Sequence, residues 1–217
     1  MTRKKIDKRQ KPKISSLHDE LSVEQIWDSD GQIERADFNG GFLVGAEEDR
    51  FTFDDVIFKN VRFTGSELRN AEFVDVIFDT CDFSNAQFKN AHFQRCEFKN
   101  SKLTGASFEN AMLKHILFEE CDGKYSNFSF TSMQEVEYNK CNLTDADFFE
   151  CKFKEVRYVA CRLENINFSE TDLRGIDLSD STYERIEVTL EHIAGCIVSR
   201  EQAIGFARVL GLNVKDY

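Results

Sequence analysis

Residues 81–100 read CDFSN AQFKN AHFQR CEFKN, with Phe83, Phe88, Phe93 and Phe98 five residues apart. Neither regular period produces that spacing. An α-helix advances about 100° per residue, so every fifth residue lands about 140° from the last and the aromatics smear around the cylinder. A strand alternates faces, so successive fifth residues point opposite ways. The chain must therefore change direction within each five. The small residue at the first position and the Phe at the third lie two apart and share one face of a short extended piece. The other two must turn a corner. Asn60, Gly65, Asn70, Asn85, Asn90, Asn100, Gly105, Asn110, Asn165 and Gly175 occupy the fifth place, and Asn and Gly best tolerate the positive φ of a turn.

The register holds without a slip. From 53 to 178, every residue whose number ends in 3 or 8 is Phe, Leu, Met or Tyr, save Gly123. Upstream, Phe38 and Leu43 keep the phase and Glu48 does not; downstream, Tyr183, Val188, Ile193 and Val198 keep it with weaker chemistry. So strict a repeat decides the architecture before local propensity does. It argues for one elongated domain in a chain of 217 residues. Gly123 leaves a hole in the core stack, which either Tyr125 folds back to cover or a local bend absorbs.

Cysteine checks the register independently. All seven, Cys81, Cys96, Cys121, Cys141, Cys151, Cys161 and Cys196, sit two residues before a core position, where they serve as small buried hydrophobes. Cys81, Cys121, Cys141 and Cys161 recur at multiples of twenty, with Ser101 in the gap, as one inward column. An odd count, no CxxC and no opening signal peptide argue against a disulfide framework or a zinc site and for the reducing cytoplasm. No apolar run approaches the roughly 20 residues that span a bilayer, so no membrane partner is expected.

Units such as Ala86-Gln87-Phe88-Lys89-Asn90 and Ala146-Asp147-Phe148-Phe149-Glu150 resemble the A-(D/N)-(L/F)-x-x unit of the pentapeptide repeat proteins. The resemblance implies an all-β fold, a right-handed quadrilateral parallel β-helix with 20 residues per coil. Asp172-Leu173-Arg174-Gly175-Ile176-Asp177-Leu178, then Arg200-Glu201-Gln202-Ala203-Ile204-Gly205-Phe206-Ala207, then Leu210-Gly211-Leu212, is similar to the ending of the Qnr quinolone-resistance proteins, and nearest to their Gram-positive members. That similarity covers residues 35–217. It implies a homodimer joined through the C-terminal segment, with Ile204, Ala207, Leu210 and Leu212 at the interface. Many Gram-negative Qnr proteins carry loops between coils; the register from Phe53 to Val198 admits none.

Three segments follow. Residues 1–30 combine a basic tail and a cap. Arg3, Lys4, Lys5, Lys8, Arg9, Lys11 and Lys13 face only Asp7, in a chain of net charge −11. Such a tail, without apolar period, reads as disordered and solvated, or as an arm that touches nucleic acid when a partner brings it near. Residues 17–30 read as a short helix or cap over an open coil end, which otherwise exposes a strand-pairing template. Residues 31–198 form the β-helix, about eight coils stacked at ~4.8 Å into a rod roughly 40 Å long. Residues 199–217 open with a capping box of Ser199 and Gln202 and carry a C-cap glycine, Gly211.

Catalytic signatures are missing. No Gly-rich phosphate loop, HExxH or GxSxG is present, and His18, His92, His115 and His192 do not cluster with inward cysteines. A flat-sided rod offers no pocket to shift the pKa of a carboxylate pair. The chain reads as a non-enzymatic protein without cofactor or metal. What remains is surface charge. With four sides, the face built on Leu68, Phe88, Phe108, Phe128, Phe148, Phe168 and Val188 presents Glu109, Asp147, Glu150, Glu170 and Glu187. It also exposes Phe130 and Phe149. It has no Lys or Arg from Ser107 to Leu190. DNA presents about one negative charge per 1.7 Å, gripped by Lys and Arg. A rigid acidic rod of similar width fits the same basic groove and does not itself bind nucleic acid. The resemblance makes the partner a type II topoisomerase, DNA gyrase or topoisomerase IV, shielded from quinolones. The alternative is a scaffolding repeat protein with another protein partner.

Overall fold

Each coil pairs in parallel with the coil twenty residues on. Phe53 lies beside Phe73, Phe58 beside Phe78, and Phe73 beside Phe93. Two further columns join by single bridges, Arg62–Asp82–Lys102–Asp122 and Gln87–Ser107–Asn127–Asp147. The chain is thus a four-sided parallel β-solenoid of about eight turns with one short C-terminal helix. The computed structural model describes residues 9–16, 19–28, 30–43 and 51–215. Residues 1–8 of the basic tail, Leu17 and Glu48 lie outside them. We number the faces by their inward centres: first 53, 73, 93; second 58, 78, 98; third 63, 83, 103; fourth 68, 88, 108.

The corners obey the five-residue rule completely. Every residue whose number is divisible by five, from 55 to 175, has positive φ. Asn and Gly hold many of these places, but Thr80, His115, Tyr125 and Phe130 also adopt the left-handed conformation, at φ 58, 57, 58 and 62°. Bulky or β-branched residues there cost of order 1 kcal/mol each, and the ladders on either side impose it. The second position of the unit has its own task. Asp82, Asn127, Asp147, Asn167 and Asp177 each accept the amide two residues on, at 2.8–3.0 Å. An Asx side chain so placed fastens the coming corner.

Inside, rings from successive coils stack nearly parallel. The second-face column runs Phe38, Phe58, Phe78, Phe98, Phe118, Tyr138, Tyr158 with centroids 4.6–5.4 Å apart. Neighbouring columns meet edge to face, as in Phe58–Phe63. The hole at Gly123 is filled from the next coil: a Cβ there would lie 2.9 Å from Leu143 Cδ2. Tyr125 does not fold back; it is 62% exposed. The cysteines point inward as the register requires, and only Cys196 is half-exposed. Burial pushes the thiols of Cys81, Cys96 and Cys151 up to about 12, and that of Cys196 to about 11. Since the thiolate is the reactive form, Cys196 should react first with a thiol reagent at neutral pH. The other six should react only as the protein unfolds. Mass spectrometry after timed labelling reads this directly, and fast native labelling of several would contradict the inward register.

The N-terminal end is closed by the strand Asp19–Leu21, which extends the ladder onto Ala36–Phe38, and by the 3-10 turn Val23–Asp28. Val23 and Ile26 of that turn are buried in the core. A disordered tail does not describe residues 9–15. They lie along the corner between the first and second faces, where Lys13 N–H donates to Asp75 and Arg9 pairs with Glu97. Composition misreads this stretch because the Arg9 side chain and the Lys13 main-chain amide meet acids far away in sequence.

At the other end, helix α1 (Arg200–Val209) starts with the expected capping box. Ser199 N–H donates to Gln202 Oε1 at 2.8 Å and Gln202 N–H to Ser199 Oγ at 3.2 Å. Gly211, at φ 76°, and the Leu212 N–H bond to the Ala207 carbonyl at 3.0 Å end it in a Schellman turn. The helix plugs the last coil. Gln202 is buried and donates through Nε2 to the carbonyls of Leu178 and Ser181, and Phe206 packs edge-on to Tyr183.

Candidate protein-binding face

The fourth face is built of single bridges between corners up to Asn167, where a short ladder, Ile166–Phe168 on Ile186–Val188, takes over, and it is mostly uncharged at its centre. Going along the rod, its second-position column reads Gln87, Ser107, Asn127, Asp147, Asn167, Glu187. Its outer edge is the corner column Asn110, Phe130, Glu150, Glu170, each on the left-handed backbone. Ladder spacing sets these corners ~4.8 Å apart.

The sequence-derived acids divide. Glu109 is half-buried and bonded to Lys89 at 2.8 Å, so its charge is matched on the neighbouring coil. Asp147, Glu150, Glu170 and Glu187 form no ion pair among the described residues. Asp147 is held rigidly, accepting from Phe149 N–H and from Asn167 Nδ2, both at 2.9 Å. Glu170 accepts from the Thr189 hydroxyl at 3.0 Å. Glu150 and Glu187 are exposed. Negative charge is therefore concentrated on the C-terminal half of the face.

Phe130 and Phe149 meet edge to face at 5.5 Å, and Phe130 is 44% exposed. On the opposite edge of the same coil stands Tyr125, also on a strained corner and exposed. The sequence reading overlooked Tyr125 as a surface residue. The signal was present: a large aromatic at a place that elsewhere favours Asn or Gly.

At the C-terminal foot of this face a groove of about 810 Å³ opens towards α1, lined by Asp145, Asp147, Asn165, Glu184, Arg185 and Glu187, among others. Arg185 is the one basic residue in that lining. Beyond the groove, the four residues expected at a dimer interface separate. Ile204 and Ala207 are half-buried, whereas Leu210 and Leu212 are 55% and 58% exposed. Ile197 and Val214 add to the exposed apolar surface at this end.

Comparison with known proteins agrees with the geometry. No curated protein matches the chain in sequence. Among solved structures, a trypsin-treated form of QnrB1, a plasmid-mediated fluoroquinolone resistance protein, matches with a TM-score of 0.55 at 20% identity. The match covers 92% of this chain and 97% of that one. HetL, a pentapeptide repeat protein involved in heterocyst differentiation regulation in the cyanobacterium Nostoc, is 14% identical, with a TM-score of 0.43 over 82% of this chain and 91% of that one. At 20% identity the likeness to QnrB1 is one of fold. The family pattern described as pentapeptide repeat region matches residues 71–133 and 131–203, and that of pentapeptide repeats in eight copies matches residues 52–85. By that match, over most of its length, the chain belongs to the pentapeptide repeat family.

Proposed function

We propose that the protein is a non-enzymatic, cytoplasmic DNA mimic that binds a type II topoisomerase, DNA gyrase or topoisomerase IV, and protects it from quinolones. The observation that carries this reading is the acid of the fourth face, Asp147, Glu150, Glu170 and Glu187, which forms no ion pair among the described residues and is carried on successive coils of a parallel β-solenoid. A basic DNA-binding groove gains from such a surface what it gains from phosphate: release of counterions and long-range attraction. The C-terminal sequence that resembles the Qnr proteins supports the choice of partner. The test is gyrase supercoiling with ciprofloxacin, with and without the purified protein. Restored supercoiling is the expected result. No binding to either topoisomerase at low salt leaves the scaffolding role in its place.

The working form in this proposal is a homodimer joined at the C-terminal ends. Leu210, Leu212, Val214 and Ile197 form an apolar end that a monomeric rod leaves in water, and two copies meeting there double the length of acidic surface. Leu210→Glu with Leu212→Glu should give a soluble monomer, since neither side chain supports the coil beneath. Light scattering on the unaltered protein that already shows a monomer rejects the dimer.

A further inference from the structure

Three titratable side chains at outward positions are as buried as the core: Asp75 at 6%, Glu97 at 5% and His115 at 5% exposure. Outward positions of a flat-sided rod face water, so something must lie on them. It is the chain's own residues 9–15, which cross the strands along the rod axis. Ser15 N–H donates to Asp55 Oδ1 at 2.9 Å, Lys13 N–H to Asp75 Oδ1 at 2.8 Å, and Arg9 reaches Glu97 at 3.0 Å. Gln10 N–H lies 3.3 Å from His115 Nδ1. That nitrogen is also 2.7 Å from Glu135 Oε2. One nitrogen cannot donate to Glu135 and accept from Gln10 at once, and the shorter contact to Glu135 governs.

The corner has the parts of a peptide site. Asp55 and Asp75 stand on successive coils and accept main-chain amides, which requires an extended segment and reads no side chain. Asp75 is braced by a bidentate pair with Arg95, at 2.6 Å on both arms. The next outward column runs Ile57, Ile77, Glu97, Leu117, apolar on either side of Glu97, and Leu117 is buried. Glu97 selects. Burial opposes its charge, yet the bonds from Lys99 at 2.7 Å and Arg9 at 3.0 Å outweigh that, and its pKa is lowered. The Arg9 side chain is itself only 5% exposed, so the site encloses one guanidinium. Pro12, which has no N–H to give, falls between the donors Lys13 and Ser15 on one side and Arg9 on the other.

We propose that this corner is a binding groove for an extended basic segment of another protein chain, with residues 9–15 as its resident occupant. The reading is independent of the fourth face, since the groove lies between the first and second. A tethered occupant competes at an effective concentration in the millimolar range. The unaltered protein therefore hides the groove, and weakening the resident reveals it.

The test uses the full-length protein and a fluorescent synthetic peptide of residues 8–16. Arg9→Glu in the protein removes the resident's anchor without touching the coils. Anisotropy should show the peptide binding this variant about tenfold or more tighter than the unaltered protein. A peptide carrying Glu at the place of Arg9 should not bind, and Glu97→Gln added to Arg9→Glu should abolish binding of the parent peptide. Thermal melting checks that each variant is folded. If the Arg9→Glu protein takes up the peptide no better than the unaltered one, or takes up the Glu-bearing peptide equally well, the groove is not a recognition site.

Discussion

Phe98→Ala should lower stability by about 3–5 kcal/mol, the usual cost of emptying a close-packed aromatic site. Lys102→Ala, only a few residues along and exposed, should stay within about 0.5 kcal/mol. Phe98 sits mid-rod, its ring 4.6 Å from Phe78 below and 4.8 Å from Phe118 above, with Phe83 and Phe108 edge-on. Two features hold the loss at the upper end. The ladders on both sides fix the coil spacing, so the walls cannot collapse into the cavity. In a stack where each repeat contacts only its neighbours, one weakened coil also loosens two interfaces. Urea denaturation with both variants measures the difference. Comparable midpoint shifts would mean that the inward and outward positions have been exchanged.

Much of this fold could be read from the sequence because the information is local and repeated. Phe three residues into each unit, a small residue at its start and Asn or Gly at its end are all choices made within five residues. The capping box at Ser199 and Gln202 is equally local, and the helix begins there. What escaped depends on contacts between distant residues. Arg9 and Glu97 are 88 residues apart, and Lys13 and Asp75 are 62 apart. Neither pairing leaves a trace in composition, so a basic stretch that lies in a groove looked like a solvated tail. Lys89 and Glu109 are one coil apart. Sorting residues by face placed them near each other, but it could not show that the pair is formed and Glu109 neutralised. Gly123 broke the pattern visibly, yet its remedy lay at Leu143 on the next coil, not at the neighbouring Tyr125.

The structure also decides how the acidic face should be tested. Reversing Asp147 outright would confuse binding with folding, because its carboxylate fastens the Phe149 amide and ties to Asn167. Asp147→Asn keeps that acceptor and follows Asn127 and Asn167 in the same column. Glu150→Lys and Glu170→Lys change exposed corner side chains, of which Glu170 gives up only its bond from the Thr189 hydroxyl. The triple variant should melt like the parent, since exposed carboxylates contribute little to folding. Its affinity for gyrase should fall by about tenfold or more, roughly 1.4 kcal/mol. The fall should appear mainly as slower association, and it should shrink as salt rises, because exposed charges are screened over about 8 Å at physiological ionic strength. Phe130→Ala should act differently. It removes an apolar contact, so dissociation quickens while the salt dependence of the parent persists. Surface plasmon resonance at two salt concentrations separates these effects, and duplex DNA should compete with the parent for the enzyme. A triple variant that binds gyrase as tightly as the parent removes this face as the mimic, even if the two proteins associate.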